Sequence, residues 1–164
     1  MASPILFGIM NFLHDLFTAL WIGGLAFMVI ILTPVVRKYF EEKGEADRFM
    51  NKAQKRLKIV VYISIIGLIV TGILLSKQAM TKHFDGPFSF TNDYSTLLSI
   101  KHILTIIMVT IAIVKSQILD RIKAQSKPLK KARMMLIPIN LVIGIAILVL
   151  SGIGAALGAM PVTP

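Results

Sequence analysis

Apolar residues run along this chain in four long blocks, about Ile5 to Val36, Ile59 to Ser76, Leu97 to Leu119 and Met134 to Met160, with polar stretches between them. Each block supplies the ~20 apolar residues that cross a hydrocarbon layer about 30 Å thick. The pattern predicts an all-α fold, an integral membrane four-helix bundle that is antiparallel and up-down-up-down, with spans at about 9–36, 59–76, 97–119 and 134–158. Only two polar hairpins and short tails remain, so residues 1–164 are expected to form a single transmembrane domain. The first block exceeds one perpendicular span, which predicts a tilted helix or an interfacial start after Pro4. The hairpin from Arg37 to Lys58 has helix-forming composition on both sides of Gly44, so the spans should continue beyond the membrane as amphipathic ends.

Composition sharpens this picture. With 55% hydrophobic side chains in 164 residues, the chain is too apolar for an ordinary water-soluble domain. Its net charge of +10 would suit nucleic acid, but the distribution argues against that partner. Of 18 basic residues, eight fall from Arg37 to Lys58 and seven from Lys115 to Arg133. Only Lys77 and Lys82 fall in the connection between the second and third blocks, and both ends lack basic side chains. That asymmetry predicts cytoplasmic basic loops, both termini outside, a multi-pass location in the plasma membrane and attraction to anionic lipid. Met1-Ala-Ser-Pro4 has no basic start for a cleavable signal, so the first span is expected to be retained. Zero cysteines leave His, Met, Lys and carboxylates for any chemistry.

The ionisable groups inside the blocks are the candidate chemistry, because a charge within a span is costly and ordinarily faces the bundle interior. The first block carries His14 and Asp15. His14, Thr18, Trp21, Leu25 and Met28 share one helical face, and Gly23-Gly24 admits a close neighbour. The second carries a stripe of Ser64, Gly67, Thr71 and Gly72, suited to helix packing or to the flat face of a macrocycle. The third opens on Lys101 and His102 at a depth similar to His14. Lys101 shares the less apolar stripe with Thr105, Met108 and Ala112, whereas His102 aligns with Ile106, Val109 and Ile113. Asp15 is the expected ion-pair partner of Lys101. In the outward loop, His83 beside Met80 could touch a metal, although a lone loop histidine is ordinarily solvated. The fourth block ends on Gly154-Ala-Ala-Leu-Gly158, a small-residue packing face for the bundle or for a homodimer.

These residues give the chain a likeness. Leu13-His14, Trp21-Ile-Gly-Gly24, Phe27 and Pro34, then Val70-Thr-Gly72, then Tyr94, Leu97-Leu98 and Lys101, together resemble the short members of the copper-resistance D (CopD) family. A weaker resemblance is to HemJ-type protoporphyrinogen oxidases, which also pair a first-helix His with a third-helix Lys. The first resemblance implies copper passage across the membrane; the second implies b-type heme held by His14. The chain departs from the CopD-like pattern after the third span, where Lys115-Ser-Gln117 stands in place of His-Asp-Phe.

Heme needs an axial donor, a flat apolar slot and cations for its propionates. The expected site is His14 on the iron, with His102 as sixth ligand if the third helix turns it inward, Lys101 and Asp15 tuning the pocket, and Trp21 and Gly67 lining it. Copper(I) prefers thioether and imidazole, which Met10, His14 and His83 would supply. No serine-histidine-acid set, zinc motif or phosphate loop is evident, which argues against a hydrolase. The reading expected is a heme b protein for electron transfer or heme-linked oxidation, with a redox partner or quinone. The alternatives are a copper-handling protein and an accessory subunit of a larger complex.

Overall fold

The computed structural model describes residues 3–79, 88–119 and 127–159. The described chain is built from four helices: α1 (Pro4–Tyr39), α2 (Lys43–Ala79), α3 (Asp93–Ile113, continuing through Val114–Leu119) and α4 (Lys127–Ala159). All four are long and apolar enough to cross a membrane. They alternate in direction, so the Tyr39–Lys43 turn, the end of α3 and the start of α4 lie at one end, the basic end.

Local chemistry sets the boundaries. Ser3 Oγ accepts from Leu6 N (3.3 Å), and Pro4 occupies the first turn, where its missing N–H costs nothing. Asn92 Oδ1 accepts from Ser95 N (2.7 Å) to start α3. Phe40 adopts an extended conformation that ends α1, and its ring packs on Phe49 at a centroid distance of 5.6 Å. α2 then starts at Lys43, well before its apolar window, and of the hairpin's basic residues the continuous helix leaves only Lys58 half-buried.

Two stretches widen into π-helix, Phe27–Leu32 in α1 and Val114–Leu119 in α3. The first has a visible cause. Pro34 has no N–H for the carbonyl four residues back and its ring crowds that carbonyl, and Thr33 bonds five residues back instead, through both N–H and Oγ1 to Met28 O (2.7 Å for Oγ1).

α1 packs most closely on α2 and α3 on α4, with α1 also lying against α4. The centre is Trp21, Ile22, Leu25, Met108, Leu141 and Ile147, all buried. Gly144 lets α4 approach: a Cβ there would meet Ile22 Cγ1 at 3.1 Å and Met108 Cε at 3.3 Å. Large apolar side chains such as Ile66, Ile106 and Val142 stay exposed, as lipid-facing positions require. Met108 is 2% exposed, and truncating it leaves a void among three helices. Met108→Ala should cost about 2–5 kcal/mol, read as a lowered unfolding midpoint in detergent.

Gly154, expected to serve packing or dimerisation, is used within the chain, since Leu97 Cδ2 sits 3.1 Å from where its Cβ would be. The surroundings of Gly158 lie outside the described residues.

Candidate functional site

His14 sits on α1 in the half of the bundle nearer the chain ends, half-buried against α2. Its Nδ1 lies 2.9 Å from Thr71 Oγ1. Thr71 Oγ1 also lies 2.7 Å from Gly67 O, a carbonyl that can only accept, so the hydroxyl donates there. Its single proton thus committed, Thr71 accepts from His14 Nδ1–H. That fixes the tautomer, leaving Nε2 unprotonated with its lone pair. A metal-binding imidazole needs this arrangement: one nitrogen anchored by a neighbour, the other bare. Thr18 Oγ1 donates to His14 O (2.9 Å), adding a hydroxyl on the same face.

Three further charged or polar groups come within electrostatic reach of His14: Lys101, Asp15 and His102. Lys101 is half-buried on α3, and His102, its neighbour, is exposed. His102 Nδ1–H donates to Leu98 O of its own helix at 2.7 Å. The inward turn of α3 that a sixth-ligand role required is absent, because Met108 and Lys101, not His102, lie on the side facing the bundle. Asp15 is exposed, one position round α1 from His14; it interacts with Lys101 through space, but among the described residues no ion pair joins the two.

Two residues expected to line a macrocycle are engaged elsewhere. Phe17 fills the space above Gly67: a Cβ on Gly67 would stand 2.3 Å from its ring. The α1–α2 seam at Gly67 is therefore occupied by Phe17. Trp21 is two turns from His14, about 10 Å along the axis, and lines a cavity at the basic end. Met10 is half-buried one turn before His14. His83, Met80 and Met160 lie outside the described residues. Among the described residues, no three His, Cys, Asp or Glu side chains cluster as a metal site.

Thr71 was not expected as a partner of His14; it read as part of a small-residue stripe. The available signal was a hydroxyl on an adjacent span at the depth of a buried imidazole.

The fold and these buried polar groups define a multi-pass helical membrane protein. No family model, curated protein or solved structure matches the chain.

Proposed function

We propose that the chain is a b-type heme-binding protein of the plasma membrane, with its basic end cytoplasmic, and that it works in electron transfer or heme-linked oxidation. The observation that carries this reading is the His14–Thr71 bond, which holds an imidazole inside a membrane-spanning segment with Nε2 unprotonated. In this reading His14 would hold the heme iron, and the half-buried Lys101 ammonium would meet a propionate. Thr71 holds the ring orientation and raises the basicity of Nε2. When bound, the heme supplies one-electron chemistry; the apolar helices around His14 exclude water. The resemblance to HemJ-type oxidases through His14, Trp21 and Lys101 points the same way. A second reading, copper(I) handling, is favoured by Met10 and His14, which are both half-buried and one turn apart.

Purified protein is expected to show an intense band at the blue end of the visible spectrum, absent from His14→Ala although that variant keeps its helical circular dichroism. A colourless parent protein, or a band that survives in His14→Ala, overturns the heme reading. A colourless protein that binds copper(I) and loses it in the Met10→Ala, His14→Ala double variant establishes the second reading.

A further inference from the structure

The basic end holds a cavity of about 50 Å³, lined by residues from all four helices. Two of those residues, Trp21 of α1 and Asn140 of α4, are only 2% and 4% exposed. Among the described residues, Trp21 Nε1 and Asn140 Oδ1 have no hydrogen-bond partner. One is a donor and the other an acceptor, and neither carries a charge. Buried polar atoms are ordinarily paired, so both call for an occupant of the cavity.

The charged groups of the lining are already engaged. Lys58 Nζ donates to Ser116 O (3.0 Å) and lies 5.8 Å from the Tyr62 ring centroid. Lys115 Nζ donates to Gln54 Oε1 (3.3 Å) and has a further interaction besides. The Tyr62 hydroxyl is bonded to Ser116 Oγ and receives Gln117 Nε2–H (3.2 Å). The groups that call for a partner are thus the neutral pair, and they ask for a neutral molecule that both accepts and donates a hydrogen bond.

We infer that the cavity binds water, held between Trp21 and Asn140 as a polar fastener between α1 and α4. Size agrees. At roughly 10–15 Å³ for each water position, about 50 Å³ takes about three or four. A lipid or detergent tail drawn into the same space would leave the indole N–H and the amide oxygen unpaired, which is unfavourable for both. Water accepts from Trp21 Nε1–H and donates to Asn140 Oδ1, so a short chain of hydrogen bonds runs from one helix to the other. α1 and α4 pack less closely than α1 with α2 or α3 with α4, and there such a link adds most. The inference does not depend on heme at His14.

Trp21 is the sole tryptophan, so protein labelled with the heavy nitrogen isotope gives a single indole N–H signal by NMR in detergent. Its proton should show a cross-peak to the water resonance, of opposite sign in NOE and ROE spectra, as for a water molecule that stays bound and not for a proton that exchanges. In Asn140→Leu, which fills the space without an acceptor, that cross-peak should fall about threefold or more, as for one lost hydrogen bond between neutral groups. Unfolding midpoints of Trp21→Phe, Asn140→Leu and the double variant should be non-additive. The double variant loses less than the sum of the two, because removing both ends leaves neither orphaned. Should Asn140→Leu fail to fold, the parent protein decides alone, by the presence or absence of the water cross-peak. Absence of that cross-peak, a cross-peak to detergent chains in its place, or uptake of xenon, which enters dry cavities, overturns the inference. An unchanged water cross-peak in folded Asn140→Leu, or additive effects in the folded variants, overturns it too.

Discussion

Gly67→Leu is expected to unfold well below the parent protein, and adding Phe17→Ala should recover most of the loss. The first atom of any side chain at position 67 falls 2.3–2.6 Å from three atoms of the Phe17 ring, far inside contact distance. Two effects oppose each other. Leucine in place of glycine favours the helix by roughly 0.8 kcal/mol, whereas overpacking costs typically ~1–3 kcal/mol and more for a whole isobutyl group against a ring. The clash wins, and the double variant, having removed the ring, should show strong non-additivity. Gly23 is the control, with nothing within 4 Å of its Cβ position. Gly23→Ala should stabilise by about 0.5–1 kcal/mol. Thermal unfolding in one detergent reads all four proteins; a Gly67→Leu midpoint equal to the parent's would show that the seam can open freely.

On the proposed heme reading, Thr71→Val should lower heme affinity roughly 10–100-fold while leaving the helical content unchanged. Valine keeps the shape but removes the oxygen that receives His14 Nδ1–H, 2.9 Å away. The imidazole then loses its anchor, and its tautomer is no longer imposed, so Nε2 is bare only part of the time. Heme titration followed by absorbance measures the change. Ser76→Ala provides the comparison on the same helix, because Ser76 Oγ bonds only the carbonyl of Ile73. Equal affinities in Thr71→Val and the parent would mean that the His14–Thr71 bond orients nothing.

The sequence pattern makes the bundle plain, because a block of about twenty apolar residues has few alternatives to a spanning helix. The faces were also legible. His14, Trp21, Leu25 and Met28 lie inward on α1, and on α3 Lys101 is the half-buried neighbour while His102 is exposed, as the stripe of Thr105 and Met108 indicates. Pairing across helices was not legible. Gly67 reads as an opening from its own helix alone; that Phe17 fills it depends on the register of α1 against α2. Lys58 and Lys115 read as loop charges because each borders a basic cluster. Continuous helix through Lys43–Ala79 and the widened stretch after Ile113 bring them onto one cavity.

The two π-helical stretches bear on how such a chain tolerates insertion and deletion. A wide turn takes up one residue beyond what a regular helix needs over nearly the same rise. Loss of a residue from Phe27–Leu32 can therefore be absorbed by tightening the turn, leaving the faces before and after it nearly aligned, whereas the same loss within Pro4–Ala26 swings everything beyond it by about 100°. Length polymorphism among chains of this architecture belongs at those two places.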